Sequence, residues 1–187
     1  VTDIHRFKHE ARRRQDGTLT WDVATMEAET IIGLKKALEQ FPDARSVSID
    51  TWGVDWAPLD ENGDLVGDVI AYRDERTSRT LDAFRERIGD REFFDLTGNQ
   101  PATINTANQL FAYLQENPAD AQRVAGVLFL PDYFVYRLTG AVGWSRTIAS
   151  TSGLLTPGGG DFNDEVFARL GIPRGWFGEL SADRTVV

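Results

Sequence analysis

Asp50-Thr51-Trp52-Gly53-Val54-Asp55 places a carboxylate on either side of a tryptophan and a glycine. A glycine flanked by a tryptophan and two carboxylates suggests a binding site, because the glycine lets a substrate touch backbone and pockets set a few polar groups among apolar ones. Arg73 and Asp74 add a charged pair further along the chain. Two of the carboxylates Asp50, Asp55 and Asp74 could also supply the acid and base of glycoside hydrolysis. Among 29 acidic residues such spacings arise by chance, so no pair is singled out. His5 and His9 share a face of a predicted strand, but no third metal ligand accompanies them, and an exposed pair is the simpler reading. Pro157-Gly158-Gly159-Gly160 is read as a flexible loop rather than a phosphate cradle, because no Gly-Lys-Ser/Thr follows it.

Those residues need elements to carry them. Val47 to Ile49 is a short β-branched run that fits a buried strand, and it turns polar at Asp50. In open α/β sheets ligands bind beyond the carboxyl ends of strands, so Gly53 stands where a site is expected. Asp3 to His9 alternates as a strand anchored by Ile4 and Phe7, and Gln15-Asp16-Gly17 marks a turn. From a cap at Asp22 or Thr25, Ala24, Ala28, Ile31, Leu34, Leu38 and Phe41 form one helical face that Pro42 ends. Strand, helix and strand in that order predict a partly parallel α/β sheet.

Trp56 to Leu59 and Leu65-Val66 flank Asn62-Gly63, a hairpin signal, with Pro58 confining its strand to an edge or bulge. Val69 to Tyr72 then delivers Arg73 and Asp74 toward the end that carries Gly53. Helical stripes follow at Leu81, Phe84 and Ile88, at Phe93, Phe94 and Leu96, and at Leu110, Phe111 and Leu114 behind a Thr106 cap. Asn117-Pro118 opens a further helix, Val127 to Leu130 reads as a strand, and Pro131 starts a helix closed by Gly140. Asn163 caps a last helix ended by Gly171. The loop from Gly98 to Asn105 is polar for a helix connection, which makes Gln100 and Asn105 binding candidates.

Composition narrows the function classes. The chain of 187 residues reads as a single domain, and 41% hydrophobic with 26% charged residues is a globular balance. A net charge of -9 disfavours nucleic acid, whose binding is driven by neutralising phosphates, and Arg12-Arg13-Arg14 reads as a solvated run. The chain has no cysteine, so disulfides are excluded. Neither a signal core nor a spanning segment opens the sequence, so no membrane partner and a cytoplasmic location are expected.

Three separated motifs resemble, in order, those of the rhamnulokinase branch of the FGGY carbohydrate kinases. They are Ile49-Asp50-Thr51-Trp52-Gly53-Val54-Asp55, then Asp60-Glu61-Asn62-Gly63 with Ala71-Tyr72-Arg73-Asp74-Glu75-Arg76-Thr77, then Leu130-Pro131-Asp132-Tyr133-Phe134-Val135-Tyr136-Arg137-Leu138-Thr139-Gly140. The similarity runs from Ile4-His5-Arg6-Phe7 to Trp176-Phe177-Gly178. It implies an α/β domain of the ribonuclease H-like, actin-type ATPase class, with a mixed sheet flanked by helices and incomplete at both ends. Residues 1–187 are then part of the sugar-binding N-terminal domain, without the C-terminal ATP-binding domain.

The resemblance also implies a reaction: ATP and Mg2+ phosphorylate the 1-hydroxyl of a ketose, L-rhamnulose first, with fuculose and xylulose as the neighbouring substrates. Gly53 matches the family glycine that touches the ketose. Trp52, Asp55, Arg73, Asp74, Gln100 and Asn105 are the other substrate-side candidates, although Pro101-Ala102-Thr103-Ile104 departs from the family pattern. The Asp-x-Gly phosphate loop is expected before Val1 and the catalytic base beyond Val187, so no catalytic or metal residue is assigned within the chain. Alone, the chain is expected to be inactive, at most a non-catalytic sugar-binding module. Its oligomeric state is left open.

Overall fold

A computed structural model describes residues 1–182 and 186 of the chain. In order, the elements are β1 (Arg12–Arg13), β2 (Leu19–Trp21), α1 (Val23–Gln40), β3 (Trp56–Leu59), β4 (Val69–Ile70), α2 (Arg76–Arg79), α3 (Leu81–Arg87) and α4 (Asp90–Thr97). After them come α5 (Thr106–Glu116), α6 (Pro118–Ala121), β5 (Gly126–Phe129), α7 (Leu130–Thr139), β6 (Trp144–Ser145), α8 (Arg146–Ala149), α9 (Asp164–Leu170), a 3-10 turn (Arg174–Trp176) and β7 (Leu180–Ser181). The strands form an antiparallel β1-β2-β4 ladder, an antiparallel β3-β5 pair and a parallel β6-β7 pair. Helices and ladders of both senses give the mixed α/β class expected from the sequence.

The β3-β5 pair divides the core. Successive strand residues face opposite sides, so Trp56, Val127 and Phe129 join a cluster with Phe84, Phe93, Leu110, Phe111, Phe167 and Phe177. Ala57, Leu59 and Leu128 face the other way, onto Val23, Met26, Val69, Tyr133 and Phe134. With both faces buried, the pair is a rigid base for what leaves its ends. Asp55 immediately precedes β3, and its carbonyl accepts from the Leu130 N–H at 3.0 Å where β5 passes into α7.

Several local expectations hold. Asp22 caps α1 by accepting from the Thr25 N–H at 3.0 Å, and Asn163 caps α9 through Glu165 and Val166. The hairpin closes around Asp60 to Asp64, with the Asp60 N–H donating to the Asp64 carbonyl at 2.9 Å and Leu59 bridging Leu65. Pro58, which has no N–H to give, offers its carbonyl to Val66 at 2.9 Å.

Other expectations are corrected. Asp3 to His9 and Val47 to Ile49 have no ladder pairing among the described residues and no regular secondary structure, and Val47 is 61% exposed rather than buried. Alternation records which side chains find apolar surroundings, not whether the backbone has a hydrogen-bonded neighbour. Phe7 and Ile49 do pack against the second cluster, and the His5 ring contacts Glu29 of α1. The phase of α1 also differs: Val23 and Met26 are buried, whereas Ala24 and Ala28 are exposed and Leu38 and Phe41 largely so. Large side chains set the phase, because an alanine offers little area to bury. No helix among the described residues is long and apolar enough to cross a membrane.

Candidate functional site

Between Asp50 and β3 the chain makes a three-residue turn. The Asp55 N–H donates to the Gly53 carbonyl at 3.0 Å across Val54, whose φ is 69°. Among the described residues, Val54 is the only non-glycine with positive φ. A β-branched residue in that region costs on the order of 1–3 kcal/mol and persists only where the surroundings hold it. Here the Val54 carbonyl accepts from Thr106 Oγ1 at 2.7 Å and Gln109 Nε2 at 3.1 Å, both near the start of α5. The Val54 N–H donates to Thr151 Oγ1 at 3.2 Å, just beyond α8.

Within the turn itself, from Gly53 to Asp55, one backbone donor is left over. The Gly53 carbonyl is taken by Asp55, the Asp55 carbonyl by Leu130, and the Trp52 carbonyl by Thr51 Oγ1. The Gly53 N–H has no partner among the described residues, and Gly53 is partly exposed. A side chain there would collide with Thr151, whose Oγ1 lies 2.9 Å and Cγ2 3.1 Å from where a Cβ would stand.

Asp55 lies directly behind the turn, fully buried. Its Oδ2 accepts from the indole N–H groups of Trp21 at 2.6 Å and Trp52 at 2.8 Å. Its Oδ1 has no hydrogen-bond partner, and the Tyr72 backbone N–H faces the carboxylate from outside hydrogen-bonding geometry. Burial pushes the carboxyl up to about 6, against the opposing pull of both indoles and the Arg76 guanidinium. The Trp52 ring is itself engaged, stacked on His9 at 5.6 Å and tilted against Trp21 at 4.5 Å.

The sign of the resulting pH dependence follows from that upward shift. A carboxyl that holds its proton more tightly when folded contributes stability below its unfolded value, 3.8, and loses it as pH rises through about 6. At about 1.4 kcal/mol per pKa unit, the loss is on the order of 2–3 kcal/mol. Urea unfolding from pH 4 to 8 is expected to show this decline in the wild type and a correspondingly flatter profile in Asp55→Asn. Asp132, also pushed up to about 6 by burial, titrates in both proteins, so the difference between them isolates Asp55. Equal slopes would contradict the assignment.

The remaining sequence candidates separate in space. Asp74 is buried with both oxygens committed, Oδ2 to the Leu19 N–H and Oδ1 to the Arg76 N–H, each at 2.9 Å. Its cationic neighbour is Arg76, at 3.7 Å, and not Arg73. Arg73 is exposed and donates to its neighbour Tyr72 Oη at 2.8 Å. Asn105 is buried beside the turn, its Nδ2 donating to the Thr151 carbonyl at 3.3 Å and its Oδ1 accepting from Ala102. Gln100 is exposed in the same loop, apart from the turn's hydrogen bonds. Gly53, Trp52, Asp55 and Asn105 are therefore brought together. Arg73 and Gln100 remain outside that hydrogen-bonded group, and Asp74 reaches it only through Arg76 and Gln109.

Sequence reasoning missed Trp21, Arg76, Thr106, Gln109 and Thr151. The nearest local signal was Arg76 in the Arg-Asp-Glu-Arg run, while nothing near Thr151 points to Val54. Two surface recesses, of about 350 Å³ beside Tyr136 and Trp144 and about 560 Å³ beside Asn99 and Ser150, are not lined by Gly53, Trp52 or Asp55.

The sequence pattern of the N-terminal domain of the FGGY family of carbohydrate kinases matches residues 1–186. The chain belongs to that family. Among solved structures, this FGGY domain resembles a xylulose kinase from Rhodospirillum rubrum, 20% identical with a TM-score of 0.80, over 92% of this chain and 37% of that one. A gluconate kinase from Lactobacillus acidophilus is 13% identical, with a TM-score of 0.80 over 92% of this chain and 35% of its own. The ADP-bound glycerol kinase of Plasmodium falciparum is 15% identical, with a TM-score of 0.75 over 89% of this chain and 35% of its own. These likenesses show a common fold, the actin-type ATPase class that the motifs implied. The FGGY chain spans little more than a third of the length of the structures it matches.

Proposed function

We propose that this chain forms the sugar-facing part of an ATP-dependent kinase that phosphorylates the 1-hydroxyl of a ketose, with L-rhamnulose the preferred substrate. The observation that carries the reading is the Gly53 N–H, the unused donor of a strained and firmly held turn, beside Trp52 and Asp55. A backbone donor in a turn whose other N–H groups are bonded stays aimed without reorganising, which is what orienting a hydroxylated substrate requires. The rhamnulose preference rests on the Asp50 to Asp55 and Tyr72 to Thr77 motifs, and it is narrower than family membership.

ATP and Mg2+ are the cofactors this reading calls for; between them they supply the transferable phosphoryl group and the charge neutralisation its transfer needs. None of the described residues is assigned to hold either. No group of three or more His, Cys, Asp or Glu among them could hold a metal ion, and Gly158 to Gly160 lack the Lys-Ser/Thr of a phosphate loop. What this chain contributes is substrate orientation, through Gly53 and the side chains that fix its turn.

A coupled ADP-release assay on the full-length protein across a ketose panel tests the proposal. L-rhamnulose is expected to give the highest kcat/KM, and the 187-residue chain alone is expected to be inert. Turnover of xylulose or fuculose without rhamnulose would move the assignment to another branch, and sugar binding without ADP release would reduce it to a binding module.

A further inference from the structure

Thr151 meets the turn from far along the chain and touches it in two ways. Its Oγ1 accepts from the Val54 N–H at 3.2 Å, and its side chain occupies the space that a Cβ on Gly53 would need. The hydroxyl has a single proton, and that proton is donated to the Ile148 carbonyl at 2.8 Å. Oγ1 can therefore only accept from Val54, so the direction of that bond is fixed. The backbone of Thr151 is fixed as well: its N–H donates to the Ile148 carbonyl at 3.1 Å, and its carbonyl accepts from Asn105 Nδ2 at 3.3 Å. Next to it, the Ser152 carbonyl accepts from the Ala107 N–H at 2.9 Å, tying the segment to the start of α5.

We propose that Thr151 is a positioning residue for substrate recognition, holding Val54 in its left-handed conformation so that the Gly53 N–H presents outward to the ketose. Asn105 acts through it, by fixing the Thr151 carbonyl. The proposal rests on the ketose-binding reading of Gly53 above. Its distinctive element is the hydroxyl: a purely steric wall would work equally well with a methyl in place of Oγ1.

Two variants of the full-length protein separate these roles. Thr151→Val keeps the shape and removes the acceptor, and Thr151→Ser keeps the acceptor and removes the methyl. Thr151→Val is expected to raise the ketose KM about tenfold, the scale of one net hydrogen bond, with the ATP KM unchanged. Thr151→Ser is expected to stay close to wild type. Hydrogen exchange at the Val54 amide provides a readout independent of turnover, expected to quicken about tenfold in Thr151→Val and not in Thr151→Ser. Unchanged exchange in Thr151→Val, or a serine variant as impaired as the valine one, overturns the proposal. A wild-type protein that phosphorylates no ketose removes the recognition role together with the kinase reading, while exchange still decides whether the hydroxyl holds the turn.

Discussion

On the ketose-kinase function proposed above, Gly53→Ala is expected to lower kcat/KM for the ketose about 100-fold, the scale of a roughly 1 Å misplacement of a positioning group. The new Cβ would stand 2.9 Å from Thr151 Oγ1, 3.1 Å from its Cγ2 and 3.2 Å from its Cβ. All three atoms belong to a side chain pinned by Ile148 and by its own backbone contacts, so it cannot swing aside without breaking the Val54 bond. The φ of Gly53 lies outside the left-handed region, so the expected effect comes from the steric clash rather than from a left-handed backbone. Once Val54 loses its acceptor, the strained turn relaxes and the Gly53 N–H shifts. Steady-state kinetics should therefore show the damage in the ketose parameters, with the ATP KM near wild type. A variant with wild-type ketose kinetics would remove Gly53 from the site.

The largest expected effect on stability is at Arg76. Its side chain is 2% exposed beside Asp74 at 3.7 Å, its Nη2 donates to Gln109 Oε1 at 2.7 Å, and its Nη1 donates to the Ala71 carbonyl at 3.2 Å. Burial works against the guanidinium charge, with Asp74 the foremost opposing attraction and Asp55 the next. Arg76→Met keeps much of the volume but strips two buried carboxylates of their cation, a change that typically costs about 3–5 kcal/mol. It also frees Gln109, whose other end holds the Val54 carbonyl, so the turn loosens along with the core. Urea unfolding measures the loss, and the double variant Asp74→Asn/Arg76→Met should recover part of it by removing the carboxylate that Arg76 directly faces. A single variant within about 1 kcal/mol of wild type would contradict the network, since a buried charge left unpaired cannot be that cheap.

The caps and turns could be read from the sequence because each is decided within a few residues. Asp22 bonds the Thr25 N–H, Asn163 bonds Glu165 and Val166, and the helices before Gly140 and Gly171 end where glycine adopts φ 77° and 69°. The hairpin at Asn62-Gly63 belongs with them. The family could be read too, since its motifs are runs of consecutive residues.

The contacts that hold the Gly53–Asp55 turn could not be read in this way. Thr151 and Gln109 reach Val54 across 97 and 55 residues of chain, and only folding shows that they arrive at the same peptide. The strands expected at Asp3 to His9 and Val47 to Ile49 failed for the same cause, since a ladder requires a partner that neither alternation nor a β-branched run reports. Adjacency misled where burial ruled: Arg73 stands next to Asp74 in sequence yet faces outward, whereas Arg76 turns inward to it. The phase of α1 was settled by Val23 and Met26 meeting Tyr133 and Phe134, residues more than a hundred positions away. Local chemistry thus determined the turns, the helix ends and the position of the glycine. Non-local burial and hydrogen bonding decided which side chains hold that glycine and which carboxylate lies behind it, because desolvation and pairing depend on neighbours that only the tertiary structure supplies.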